Sequence, residues 1–74
     1  MATLAEQKIR KQLGGKIKEL RTSKKETQES LAASINSSKD YVSHVESGIK
    51  SPSLGFLVKI ANKLKVDLQE FFKF

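Results

Sequence analysis

Cysteine is absent from the 74 residues, and histidine occurs once, at His44. Disulfides, thiolate metal sites and thiol nucleophiles are therefore excluded, as is a metal centre built from several histidines. The chain also has no paired catalytic acid and base, no phosphate-cradling loop and too little volume for a sizeable pocket. We therefore expect a protein that is not an enzyme and that needs no cofactor, metal or small-molecule ligand.

Long apolar runs are missing as well. No stretch approaches the roughly 20 apolar residues that cross a bilayer, and residues 1–15 contain no continuous apolar segment of the signal-peptide type. A cytoplasmic protein without a membrane partner is the expectation. There is one proline, there are four glycines, and no segment alternates between apolar and polar residues. A single all-α domain over residues 1–74 is therefore predicted.

Positive charge is concentrated at the start of the chain. The net charge is +6, and residues 1–25 hold eight basic and two acidic side chains, whereas residues 26–74 hold six of each. A basic segment of this kind attracts phosphate polyanions through counterion release, or it forms the solvated face of a helix. Charge alone does not choose between these two interpretations.

Apolar spacing predicts that the first helix covers about 5–23. Gly14 and Gly15 interrupt it, and each costs about 1 kcal/mol relative to alanine in a helix interior. One of them permits a close approach of another helix, or the helix begins after them and residues 1–13 form a looser arm. We favour one helix. Its apolar face consists of Ile9, Leu13, Ile17 and Leu20.

Capping signals divide the rest of the chain into four shorter helices. The second helix begins after Thr27 and ends near Asn36, a residue that tolerates the left-handed turn. The third covers about 39–47 and the fourth about 54–64. Ser37 or Ser38 is the predicted N-cap of the third helix, Ser53 that of the fourth and Asp67 that of the last. The last and shortest helix carries Leu68, Phe71 and Phe72.

The second and third helices form a helix-turn-helix unit over about 28–47. The unit is too short to bury its apolar side alone, so the other helices must cover it. Because Val42 and Val45 point inward, the opposite face of the third helix stays free. Its short polar side chains are those that base edges in the major groove of DNA require. This face carries Lys39, Asp40, Ser43, His44 and Ser47.

Residues 13–72 resemble the compact five-helix, lambda-repressor-like domain of phage repressors, Cro proteins and restriction–modification controller proteins. Three departures from the pattern stand out. Lys25-Glu26 replaces a usual glycine–apolar pair, Asn36 replaces a usual glycine, and Ser37 replaces a usual apolar residue. The strings that carry the resemblance are Leu13-Gly14, Thr27-Gln28-Glu29, Leu31-Ala32, Tyr41-Val42-Ser43, Val45-Glu46, Gly48, Pro52-Ser53-Leu54, Ile60-Ala61 and Phe71-Phe72.

The resemblance implies a transcriptional regulator that binds double-stranded DNA as a homodimer on an inverted-repeat operator. It also implies that an ion pair between Arg21 and Glu46 fixes helix orientation. The implied base contacts are Lys39, Asp40, Ser43 and His44. The implied DNA backbone contacts are Thr27, Gln28, Tyr41, Lys50 and Ser51.

Several of these residues also have a purely structural interpretation. Lys39 is otherwise an ordinary surface lysine. Asp40 accepts a hydrogen bond from a cytosine amino group, or it only caps the third helix. His44 donates to DNA, or it is a half-buried link between helices. Tyr41 reaches a phosphate with its hydroxyl, packs its ring against the second helix, or does both.

The end of the chain is rich in phenylalanine. Such a cluster is either ordinary core or, because a chain end buries little, the contact between two copies of the protein. We predict that the dimer interface includes Leu68, Phe71, Phe72 and Phe74.

Two other functions compete with DNA binding. One is a protein-interaction module, such as an antitoxin-like bundle, which would form salt-insensitive complexes and show no DNA preference. The other is structured-RNA binding, which the deep and narrow groove of duplex RNA disfavours. Within the resembled family, the short chain favours a restriction–modification controller over a phage switch.

Overall fold

A computed structural model describes residues 3–74. Within this range the chain contains helices and no strand, which confirms the all-α prediction. No helix in the described range has both the length and the apolar character needed to cross a bilayer. The elements are α1 (Leu4–Ser23), α2 (Gln28–Ser34), α3 (Lys39–Glu46), α4 (Leu54–Leu64) and a C-terminal 3-10 helix (Leu68–Phe72).

Side chains cap the start of all four α-helices. Thr3, Thr27, Ser38 and Ser53 each accept a hydrogen bond from the backbone N–H three residues later, at 2.9–3.1 Å. The caps at Thr27, Ser38 and Ser53 confirm the predicted helix starts. Asp67 precedes the last helix as predicted, but its side chain makes no capping hydrogen bond, and that helix is 3-10 rather than α-helical.

The end of each α-helix is a left-handed turn. Lys25, Asn36, Gly48 and Lys65 have φ angles between 55° and 81°. In each case the N–H of the next residue donates to a carbonyl five residues back, at 2.8–3.1 Å. This bond is the mark of the Schellman motif. Asn36 therefore forms the turn expected of it, and Lys25 takes the conformation that suits the glycine it replaces.

The core lies between α3, the helices α1 and α2 that cover its inner side, and α4, which packs on α2. α3 packs on α1 and α2, and the 3-10 helix packs on α1 and α4. The first buried apolar residue of α1 is Leu13. Ile9, which the sequence places on the buried face, precedes it and is 49 % exposed. The buried apolar residues are Leu13, Ile17, Leu31, Ala32, Ile35, Val42, Val45, Phe56, Leu57, Ile60, Ala61, Leu64 and Phe71.

Phe71 requires a correction. Its exposed fraction is 0 %, because the 3-10 helix turns this ring into the core formed by α1 and α4. A side chain without exposed surface offers nothing to a second molecule, so the expectation that Phe71 lies in a dimer interface is wrong. Leu68 packs partly against the core, whereas Phe72 and Phe74 remain exposed.

Candidate nucleic-acid interface

The outer face of α3 is free, as the sequence predicts. Val42 and Val45 point into the core. Lys39 and Asp40 are exposed, and Ser43 and His44 are half-buried. The spacing of these four polar residues puts them on one side of the helix. α3 therefore presents a continuous polar face that the other elements within residues 3–74 leave open.

Asp40 lies in the first turn of α3, near the positive end of the helix dipole. The cap of this helix is Ser38, whose hydroxyl oxygen accepts from the Tyr41 N–H at 3.1 Å. The interpretation that Asp40 caps the helix is therefore wrong. Its carboxylate is exposed on the outer face.

A buried ion pair orients α3. Arg21 Nε lies 2.6 Å from Glu46 Oε2, and Arg21 Nη2 lies 3.0 Å from Glu46 Oε1. Arg21 Nη1 also donates to the carbonyl oxygen of Glu26 at 2.6 Å. Gln28 Nε2 donates to Glu46 Oε1 at 3.0 Å. One carboxylate thus joins α1, α2 and α3. The family resemblance implies its bond to Arg21 but not its bond to Gln28.

The close approach of α1 to α3 depends on Gly14. A β-carbon at this position would lie 2.3 Å from the carbonyl oxygen of Val45 and 2.6 Å from that of Glu46. Only a hydrogen at Gly14 leaves room for the C-terminal end of α3. Arg21 lies seven residues further along α1, on the same side, and this places its guanidinium over Glu46.

A shallow cavity of about 200 Å³ opens beside α3. Lys18 lies on its rim, although the sequence motif does not single out this lysine for a DNA contact. The spacing could have predicted this position, because Lys18 precedes Arg21 by about one helical turn and therefore lies on the same side of α1. The cavity is lined by Lys18, Gln28, Ser43, Glu46 and Ser47.

Tyr41 links α3 to α4. Its ring meets Phe56 edge to face, with centroids 4.9 Å apart, and its hydroxyl oxygen accepts from the Ser53 N–H at 3.4 Å. The tyrosine ring therefore packs against Phe56 of α4. Lys50 and Ser51 are exposed in the loop before α4.

Within residues 3–74 no three histidine, cysteine, aspartate or glutamate side chains come together in a way that could hold a metal ion.

Comparisons with known proteins agree with this geometry. A family model described as helix-turn-helix matches residues 17–71. The control protein C.MunI from Mycoplasma sp is 40% identical over 65 residues, which cover 86% of this chain and 88% of that protein.

Solved structures give the same result. The restriction-modification controller protein C.AhdI from Aeromonas hydrophila superposes with a TM-score of 0.80 at 35% identity, covering 84% of this chain and 94% of that chain. The clp gene regulator ClgR from Corynebacterium glutamicum superposes with a TM-score of 0.83 at 26% identity, covering 86% of this chain and 68% of that chain.

Proposed function

The chain belongs to the helix-turn-helix family of DNA-binding transcriptional regulators, and from this membership we propose that it binds one specific duplex site as a homodimer and regulates transcription there. The observation that carries the proposal is the free polar face of α3, which stands beside Gln28 and Lys18 and is held rigidly by the Arg21–Glu46 pair.

In the proposed complex, α3 enters the major groove and reads base edges. Lys39 donates to guanine or to a phosphate, and Asp40 accepts from a cytosine amino group. Ser43 is short enough to let the helix backbone approach the bases, and His44 donates from the half-buried end of the face. These assignments follow from side-chain chemistry and exposure.

Contacts to the DNA backbone would set the register of α3. Thr27 and Gln28 stand at the start of α2, where the N-terminal N–H groups favour a phosphate. Lys50 and Ser51 lie in the exposed loop before α4, and the Tyr41 hydroxyl lies near the start of that helix. Such contacts hold the protein in place without reading sequence.

The proposed homodimer uses the exposed end of the chain. Phe72 is 49 % exposed and Phe74 is 54 % exposed, so two large apolar rings face solvent. Burying these rings against a second copy would add apolar contact to a small core. Two copies of α3 would then reach successive major grooves about 34–36 Å apart on an inverted repeat.

Two relatives support a more specific role. One is a control protein and another is a restriction-modification controller protein, and both are covered over most of their length. We therefore infer that this chain regulates genes of a restriction–modification system. Its own concentration and its dimerisation would set the response.

Selection from random duplexes, followed by footprinting, tests the function. We expect the parent to enrich an inverted repeat, and Lys39→Ala and Ser43→Ala to lose preference at defined base pairs. Lys65→Ala, which removes the same charge at the far end of α4, serves as the control and should keep the parental site. A parent that enriches no sequence, or that duplex RNA displaces from DNA, would overturn the proposal.

A further inference from the structure

α1 starts well before the part of the chain that the helix-turn-helix family model matches. The helix begins at Leu4, whereas the match begins at residue 17. We call residues 4–16 the leading segment of α1. The segment is helical throughout, and its basic side chains outnumber its single acidic one, Glu6. The basic residues are Lys8, Arg10, Lys11 and Lys16.

The leading segment is fastened to the loop that follows α3. Arg10 Nε donates to the carbonyl oxygen of Gly48 at 3.1 Å. Lys11 packs so closely on Gly48 that a β-carbon there would lie 2.7 Å from Lys11 Cγ and 3.0 Å from Lys11 Cα. The leading segment therefore lies beside the same loop that carries Lys50.

One face of α1 continues from this loop to the polar cavity beside α3. Lys11 and Lys18 are seven residues apart, which brings them to within about 20° of each other around the helix. Lys18 lines the cavity that also contains Gln28 and Ser43. Lys8 and Lys11 line a second cavity of about 260 Å³ further along the same face.

We call Lys8, Lys11 and Lys18 the α1 lysine stripe. All three side chains are exposed. Both carboxylates of α1 are engaged with other cations, since Glu6 lies 3.5 Å from Arg10 and Glu19 lies 3.6 Å from Lys16. The stripe therefore presents positive charge that the acidic residues of its own helix do not take up.

We infer that Lys8 and Lys11 bind phosphates of base pairs that flank the site read by α3, extending the DNA contact beyond the helix-turn-helix unit. The inference rests on the proposed function. From Lys8 to Lys18 the stripe measures about 15 Å along the helix axis, the rise of about four base pairs at 3.4 Å each. A lysine ammonium binds phosphate as a point charge and reads no sequence.

The test combines salt dependence with the length of the DNA. Binding of the parent and of Lys8→Ala/Lys11→Ala is measured over a range of salt, on a duplex that carries the selected site with long flanks and on one trimmed to the site. Removing one lysine–phosphate interaction reduces the steepness of log K against log salt by about 0.9. We expect the double variant to reduce it by about 1.8 for each bound copy of the chain.

The second part of the test compares binding to the long duplex with binding to the trimmed one. We expect the parent to bind the trimmed duplex more weakly than the long one, and the double variant to bind both equally. Alanine is a strong helix former, so α1 should remain intact, and circular dichroism checks this. A control of equal charge, Lys24→Ala/Lys65→Ala, removes two exposed lysines at the C-terminal ends of α1 and α4 and should keep both the parental slope and the parental response to trimming.

Three outcomes would overturn the inference. The double variant could keep the parental slope and the parental response to trimming on a site that the parent still selects, and then the proposed function would survive without the flanking contact. The control could lose as much slope as the double variant, and then net charge alone would explain the effect. A parent that prefers no duplex would overturn the inference and the proposed function together.

Discussion

Gly14 and Gly15 are neighbours in α1 with opposite surroundings. A β-carbon at Gly14 would meet backbone atoms at the end of α3, whereas one at Gly15 would meet nothing within 4 Å. We expect Gly14→Ala to lower the free energy of unfolding by about 1–3 kcal/mol, because backbone is forced apart. Gly15→Ala should raise it by about 1 kcal/mol, because alanine favours the helix.

Urea unfolding followed by circular dichroism measures both changes, and Gly15→Ala is the matched control for Gly14→Ala. Equal effects of the two substitutions would contradict the close approach of α1 to α3. Gly14→Ala should also weaken DNA binding, since displacement of α1 separates Arg21 from Glu46.

Apolar periodicity could not tell these two glycines apart. Both interrupt the same apolar pattern, and the atoms that distinguish them belong to Val45 and Glu46, far later in the chain. Asn36 is a different case. The left-handed turn it forms is a local property of the residue, so its role was predictable from its position after an apolar helix.

At the scale of helices, the Arg21–Glu46 pair holds three elements together. Glu46→Gln leaves the buried guanidinium without a counter-charge, and we expect it to cost about 3–5 kcal/mol of unfolding free energy. Chemical denaturation measures the loss. Glu19→Gln, which removes an exposed carboxylate paired with Lys16, is the control and should cost no more than about 1 kcal/mol. A Glu46→Gln variant that unfolds and binds DNA like the parent would contradict this role.

Glu26 connects the turn before α2 to α4 and makes stability depend on pH. The Ser30 hydroxyl donates to its carboxylate, and the Lys63 ammonium lies 3.3 Å away. The Ser30 hydrogen bond first, and Lys63 after it, lower the pKa of Glu26 from its usual 4.5. Because the pKa of Glu26 is lower in the folded than in the unfolded state, the ionised carboxylate stabilises the fold at pH values above the pKa of the unfolded state. This stabilisation is lost as the pH falls through the pKa of the folded state.

We therefore expect the free energy of unfolding to decline as the pH falls below 4.5, and to decline less steeply in Glu26→Gln. Thermal unfolding at a series of pH values measures the difference between the two proteins. Identical slopes would mean that this carboxylate is not held by Ser30 and Lys63.

Helix boundaries were predictable because caps are local. Thr27, Ser38 and Ser53 each bond within one turn of their own helix, and the structure confirms all three. The geometry of the last helix was not predictable in the same way. Asp67 has the chemistry of a cap, but the packing of Phe71 into the core sets the backbone there, and a 3-10 turn results.

For the whole molecule, the exposed phenylalanines predict an oligomer. We expect Phe72→Ala to weaken self-association by about 1.5–3 kcal/mol, because a dimer would bury the exposed half of two such rings, which together equal one fully buried ring. Sedimentation equilibrium measures it, and Ile49→Ala, which removes a similarly exposed apolar side chain in the loop after α3, is the control. A Phe72→Ala protein that remains as tight a dimer as the parent would contradict the proposed interface.

The relative positions of the helices were the feature that was least predictable from the sequence. The polar face of α3 was visible in the sequence because one helix carries it. Lys18 and Gln28 come from α1 and α2, and only the packing of both helices on α3 puts them around one cavity. Ile9 was wrongly predicted to be buried for the same reason. Periodicity shows which face of α1 is apolar, but it does not show how far along α1 the neighbouring helices extend.

α2 and α3 are only seven and eight residues long. Isolated helices shorter than about 12–15 residues are marginal in water, so neither helix persists unless it is docked on α1 and α4. The backbone amides of α3 should therefore exchange their hydrogens for deuterium only when the entire fold opens. The DNA-facing surface and the helices that support it should therefore unfold as one unit. A bound duplex would slow the hydrogen exchange of both.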